Sequence, residues 1–353
     1  KMPMEAASLT NAVIGGSMIG AAGMVMLMFT GKTLGFSGIT KGLWANAPDW
    51  KWRCMFLGGL MCSSAFIRFT YPVLQEAVSN KDAVFRLLLG GLFVGVGSGL
   101  SNGCTSGHGI IGLSRFSIRS ITATCLFMFA AVATASLTNL SAVYPVTEAT
   151  VAPTVTRDVA IVACCLISLL AGTYLTNRKK IAAGDYTMCG CAMAALGGVA
   201  GLGLHLSGMA KPSKIAAFLD LSRGIDLEEG WDPSMLFVMG GAHLIAMPTY
   251  HFVVKKMWDG GKGKSLTGQT MGLPSPNSPV DMKLIYGALF FGTGWGLCGL
   301  CPGPAHVGLI APTTGDELLR IFSFQVMMGV GWVVQAAVSN GFDFNAIINA
   351  KSC

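Results

Sequence analysis

G-V-G-S-G-L-S-N-G-C-T-S-G-H-G-I-I-G-L, from Gly95 to Leu113, returns late in the chain as G-T-G-W-G-L-C-G-L-C-P-G-P-A-H-V-G-L, from Gly292 to Leu309. Both copies open with G-x-G-x-G-L, and both set a cysteine nine positions after the first glycine, at Cys104 and Cys301. A histidine follows in each, His108 and His306. Each copy closes an apolar run and then breaks it with Gly or Pro. Glycine breaks at matching places in two hydrophobic halves point to a transport site near the bilayer midplane.

Composition agrees. Only 12% of the 353 residues are charged and 52% are hydrophobic, where a soluble domain carries about a quarter charged residues. With a mean hydropathy of +0.59, the chain reads as an all-α multi-pass membrane protein. Segments of spanning length run from Asn11 to Phe29, Trp52 to Phe69, Ala83 to Leu100, Ser120 to Leu137 and Asp158 to Thr176. Four more run from Thr187 to Leu206, Pro233 to Val254, Met282 to Cys298 and Leu318 to Val338, about nine in all. The net charge of +7 belongs to loops and describes topology; no basic nucleic-acid surface is present.

Punctuation between the spans is clear. Asn46 to Trp50 is a turn with an interfacial tryptophan, and Asn177-Arg178-Lys179-Lys180 is a basic stop. Gly260 to Pro279 is a Gly/Lys-then-Pro/Ser loop with no apolar period, expected to be the most mobile part of the chain. Lysines and arginines gather after the odd-numbered spans, which places those loops on the cytoplasmic or matrix side, the N-terminus outside and the C-terminus inside. The membrane is then a bacterial plasma membrane or a mitochondrial inner membrane. Lys1 precedes Met2 and no cleavable signal leads the first run, so the numbering starts inside the gene product or a presequence has been removed.

The repeat extends beyond the cysteine motif. Ser37-Gly38 and Ser207-Gly208 each follow a long apolar run, two spans ahead of the cysteine motif of their half. The halves are offset by five spans, an odd number, so they enter the membrane in opposite senses. Residues 1–157 form the first repeat, 158–180 the connecting span and basic loop, and 181–353 the second repeat. Short broken or re-entrant helices from both then meet near the midplane.

G-C-T-S-G-H-G-I-I-G-L-S-R-F-S, from Gly103 to Ser117, resembles a signature of the YeeE/YedE sulfur-transport family. Trp295 to Ala305 resembles that family's second signature, and Leu206 to Lys214 and Trp231 to Met235 are similar to further family motifs. The layout is similar to two half-size members joined in one chain. The resemblance implies an hourglass-shaped helical protein that passes thiosulfate along its cysteines by transient thiol contacts. Two family cysteines carry over, at Cys104 and Cys301. A third, in the first broken element of the full-length thiosulfate transporters, has no counterpart; Ser37 stands near that place, which leaves room for another sulfur species.

The residues themselves support an anion site. Gly103-Cys104-Thr105-Ser106-Gly107 packs thiol, hydroxyls and glycine at a helix break, where backbone N–H groups and the next helix start favour an anion. A soft thiol suits a terminal sulfur. Pro302, Gly303 and Pro304 enforce the equivalent break after Cys301. Ser37 and Ser207 are hydroxyl candidates from the other two breaks. His108 is either a lining residue or a core histidine bonded to backbone. Cys298 reads as lining or packing, although Cys298-Gly-Leu-Cys301 also spells C-x-x-C, and His306 as a core residue. Arg115 either draws anions to the inner mouth or marks the cytoplasmic side. No ligand spacing for zinc appears, no cofactor is expected, and enzyme motifs are missing. The methionines of the first span, Met18, Met24, Met26 and Met28, read as packing. Partners are a small sulfur anion and lipid, with a sulfur-accepting protein or a larger complex as further options. Two alternatives stand: a non-transporting subunit that kept the fold, and a persulfide-carrying sulfur-transfer protein using Cys104.

Overall fold

Long helices form at every one of the nine apolar runs, because hydrocarbon offers backbone groups no partner outside their own helix. In chain order they are α1 (Ala6–Thr30), α3 (Trp50–Thr70), α4 (Ala83–Ser101), α6 (Ile118–Leu137), α7 (Pro153–Ala182), α8 (Tyr186–Leu206), α10 (Ser234–Thr249), α11 (Met282–Cys298) and α13 (Gly315–Ser339). Among the shorter helical segments between them, four are seven to nine residues long: α2 (Phe36–Trp44), α5 (Thr105–Gly112), α9 (Pro212–Leu219) and α12 (Pro302–Gly308). The structure, a computed structural model, describes residues 6–78, 80, 83–145, 153–182, 186–222, 224, 231–258, 263–275, 277–311 and 314–339.

Six of the described helical segments are long and apolar enough to cross a membrane by that criterion alone: those of α1, α4, α6, α10, α13, and α11 run together with α12. Charges also mark the ends of α3, at Lys51, Arg53 and Arg68, and lie along α7, at Arg157, Asp158 and Arg178 to Lys180. The Asn177–Lys180 stop therefore does not end its helix, which continues to Ala182. Within the described residues of α8, Gly190–Leu206 is an apolar stretch.

Packing follows a regular scheme. α4 packs against α11 and α1 against α8; α3 pairs with α8 as α10 does with α1; α13 pairs with α4 as α6 does with α11. Exchanging α1–α6 with α8–α13 leaves this scheme unchanged, with α7 outside it against α8. Glycines set the distances. An added Cβ on Gly294 would lie 2.7 Å from the Gly90 carbonyl, and one on Gly97 would run into the Phe291 backbone. Gly90 thus meets Gly294 while Gly97 meets Gly287 and Phe291, so α4 and α11 run antiparallel with backbones touching. Close approach of this kind replaces the hydrophobic effect as the glue between helices in lipid.

Two apolar clusters result, one around α1, α3, α8 and α10, the other around α4, α6, α11 and α13. Met209, in the turn before α9, packs against both.

The loop expected to be most mobile is largely a strap. Residues 263–275 lie across the end of α1: Leu266 N donates to Met28 O at 2.8 Å, Thr267 Oγ1 to Phe29 O at 2.6 Å, and Gly272 N to Gly31 O at 3.0 Å. These bonds satisfy the carbonyls that a helix end leaves over. Met271 and Leu273 are buried against the first cluster. Residues 259–262 and 276 lie outside the described residues. Asp281 then caps α11 by accepting from Leu284 N at 2.9 Å, as N-cap carboxylates do.

Candidate functional site

Each short helix is set up by the same local device. A long helix ends in a residue with left-handed backbone, Gly31 (φ 70), Asn102 (φ 57), Gly208 (φ 77) or Gly299 (φ 66). The chain then reaches an extended N-cap residue, Gly35, Cys104, Lys211 or Cys301, and starts the short helix. Glycine takes a positive φ without strain, and asparagine is the side chain that tolerates it best. Cys104 and Cys301 therefore hold equivalent places, with φ, ψ of −136, −170 and −120, 169.

The equivalence is not perfect. From Cys104 to Gly112 is one residue longer than from Cys301 to Gly308. The surplus residue is absorbed by making α5 a π-helix, whose wider turns hold an extra residue and recur at functional sites. The other pair of breaks corrects an expectation. Ser37 is the second residue of α2, whereas Ser207 lies in the turn before α9, where Met209 N donates to its Oγ at 3.4 Å. The residue matching Ser37 is Ser213, second in α9, so Phe36-Ser-Gly-Ile pairs with Pro212-Ser-Lys-Ile.

All four breaks reach one cavity of about 20 Å³, room for a single water. Its wall includes Phe36 of α2, Thr105 and Ser106 of α5, Met209 before α9, and Cys301 and Pro304 at α12. Hydrocarbon from Ile19, Leu204 and Ile110, and Met239 of α10, completes it. Polar contacts tie the elements together. Phe36 N donates to Ser106 Oγ at 3.3 Å, Thr105 Oγ1 donates to Cys301 Sγ at 3.8 Å, and Cys104 Sγ lies 3.3 Å from Ser106 Oγ. Thr40 Oγ1 stands 2.7 Å from His306 Nε2, joining α2 to α12.

The predicted residues divide accordingly. Thr105, Ser106 and Cys301 line the cavity, while Cys104 stands behind Ser106, buried. Gly103 and Gly303 make room: a Cβ would press on the His108 ring at 2.6 Å and the Phe36 ring at 2.7 Å. Pro302 starts α12, and Ser37, also buried, leaves the wall to Phe36. His108 is a core histidine, with Nδ1 3.1 Å from Ser120 Oγ and Nε2 3.2 Å from Ser101 O. Cys298 is packed against α4 at Gly90, and its thiol donates to Gly294 O at 3.1 Å. Arg115 is buried, its guanidinium 5.7 Å from the Tyr250 ring and 5.8 Å from the Trp258 ring, and it donates to Pro274 O. It clasps the strap. Phe36, Met209 and Met239 were missed as wall residues, although Met209 carried a signal through the Leu206–Lys214 motif; Pro304, read as part of the break, also lines the wall. Among the described residues, no three His, Cys, Asp or Glu side chains are grouped as metal ligands.

A second loop crosses the opposite pair of elements. Lys211 Nζ donates to Val73 O at 2.7 Å. The Glu76 carboxylate accepts from Ser213 N at 3.3 Å and from Ser213 Oγ. Burial pushes the Glu76 carboxyl above its usual range, against the hydrogen bonds from Ser213 and the charge of Lys211. A carboxyl whose folded pKa is raised stabilises the fold most below its unfolded pKa. That contribution is lost as pH rises through the folded value. Glu76→Gln is therefore expected to raise the melting temperature at neutral pH and to flatten its decline from acid to neutral. A lower melting temperature than wild type at neutral pH would count against this account of Glu76.

The family described as "Sulphur transport" matches residues 5–134, which covers α1 to nearly all of α6. A family described as of unknown function (DUF6691) matches residues 189–338, α8 to α13. Two curated relatives from Xylella fastidiosa, each named "Probable transporter", are similar to the chain. One, from strain Temecula1, is 35% identical over 134 residues, 38% of this chain and 79% of its own length. Another, from strain 9a5c, is 37% identical over 128 residues, 35% of this chain and 90% of its own length. Such relatives are units of half this size.

Proposed function

Because the chain belongs to the YeeE/YedE sulphur-transport family, we propose that this multi-pass membrane protein conducts thiosulfate through the cavity at which its four broken elements meet. The observation that carries the reading is the convergence of Cys301, Thr105 and Ser106, residues bearing a thiol and two hydroxyls bonded to their neighbours, at a space otherwise walled by hydrocarbon and thioether. Broken backbone at such depth persists only where protein or a water-filled cavity satisfies it. The packing scheme and the antiparallel α4–α11 pair favour an inverted repeat, divided as the sequence suggests, with α7 as connector.

In this reading thiosulfate sheds water as it reaches the centre. Hydroxyl protons of Thr105 and Ser106 then turn to its oxygens, and the Cys301 thiol meets its sulfur. Cys104 acts through Ser106, whose hydroxyl it touches. No bond forms between cargo and protein. A cavity the size of one water is a closed state, so passage requires α2 and α12, joined by Thr40 and His306, to separate from α5. The basic loops face the cytoplasm, with the N-terminus outside.

Uptake of sulfur-labelled thiosulfate into liposomes holding the purified chain tests this, with sulfate as competitor. Uptake should saturate, and a large excess of sulfate should leave most of it intact. The protein mass after incubation should be unchanged, since one added sulfur on Cys104 or Cys301 belongs to a persulfide carrier. Empty-liposome rates from folded protein would refute conduction.

A further inference from the structure

We propose that the thioethers of Met209 and Met239 are specificity-determining contacts that orient a sulfur oxyanion in the cavity, its terminal sulfur toward the second half of the chain. This rests on the transport reading above. The hydroxyl-bearing and sulfur-bearing residues of the wall come from different halves of the chain. Both hydroxyls, Thr105 and Ser106, come from α5 in the first half; all the sulfur, Cys301, Met209 and Met239, comes from the second. Hydroxyl-bearing and sulfur-bearing side chains thus meet at the cavity, where Thr105 Oγ1 donates to Cys301 Sγ at 3.8 Å, a pairing suited to an anion that carries both oxygen and sulfur.

Placement supports a role beyond filling space. Met209 sits where the two apolar clusters meet and keeps part of its surface free, as Met239 does. The Met239 methyl points at α5, 3.2 Å from where a Cβ on Gly109 would stand. Ile19, Leu204 and Ile110 show that hydrocarbon fills this wall where only volume is needed. A thioether adds polarisability, which suits a soft, weakly hydrated sulfur and gives nothing to a hard oxygen. Soft contact of the kind a further cysteine would give is thus available from the second half, although the first break carries Ser37 and Phe36.

Leucine keeps the volume and apolarity of methionine and removes the sulfur. In liposomes holding the full chain, Met209→Leu and Met239→Leu should each slow thiosulfate uptake about three- to tenfold, and Met209→Cys should recover part of the loss. A second readout is binding. Thiosulfate should raise the melting temperature of the wild type more than sulfate does, and the double leucine variant should lose that difference. Leucine variants with wild-type uptake and a wild-type thiosulfate–sulfate difference would overturn the proposal. So would a uniform loss for both anions accompanied by a lowered ligand-free melting temperature, which is the mark of packing alone. Wild-type protein that shows the melting difference without uptake would refute conduction and leave the oriented site standing. Wild type with neither effect would remove both.

Discussion

Cys301→Ala is expected to slow thiosulfate uptake by about ten- to a hundredfold, the kinetic equivalent of losing one hydrogen bond to a charged group. The thiol lines the cavity and accepts from Thr105, so its removal also frees the hydroxyl that holds α5 to α12. Alanine fits an extended N-cap position ahead of Pro302 without strain, and the melting temperature should change little. Cys104→Ala acts one atom layer further out, through Ser106, and should cost about tenfold at most. Cys125 is the control. It faces outward from α6, and Cys125→Ala should transport normally. Wild-type uptake by both Cys104→Ala and Cys301→Ala in intact protein would refute the conduction mechanism.

Gly97→Leu should prevent folding. A Cβ at Gly97 runs into the Phe291 backbone nitrogen and, at 2.6 Å, the Gly287 carbonyl; none of these can swing aside as a side-chain tip can. Overpacking where side chains can yield costs about 1–3 kcal/mol; a leucine driven into fixed backbone must part the two helices and forfeit their seam, a cost that reaches the total stability, on the order of 5–15 kcal/mol. Detergent extracts of Gly97→Leu should yield aggregate, and Gly97→Ala should yield folded protein with a clearly lowered melting temperature. Gly58 on α3, with open space where its Cβ would be, supplies the contrast: Gly58→Ala should be neutral or stabilising, since alanine favours helix. Equal melting temperatures for Gly97→Ala and Gly58→Ala would remove the glycine seam from the account.

What could be read from the residues was whatever one segment states alone. Nine apolar runs announce nine long helices, and paired glycines and prolines announce the breaks. The two cysteine motifs are long enough to align without a structure. Ser37 and Ser207 were paired wrongly because a Ser-Gly dipeptide is a local likeness, whereas the true match is set by distance from the helix start. The π-helix was latent in the count from cysteine to Gly-Leu, eight residues in one motif and seven in the other. The strap could not be seen, because its hold on α1 is made by backbone groups and one small hydroxyl, that of Thr267. Met239 was invisible for a different reason: a methionine in an apolar run looks like packing until a cavity is found beside it. His108, equally open at first, is decided by Ser120 and Ser101, which meet it only in the fold.

The two straps cross between the halves. Residues 71–78 belong to the first half yet close over Lys211 and Ser213 of the second, and residues 263–275 belong to the second yet close over Met28 to Gly31 of the first. Neither half is complete by itself. Each would leave its own broken helix open, with carbonyl or amide groups unsatisfied, and would carry a cover for a partner it lacks. Joining them through α7 turns that mutual need from a bimolecular encounter into a contact at high effective concentration, so the two covers are made in equal number and always within reach.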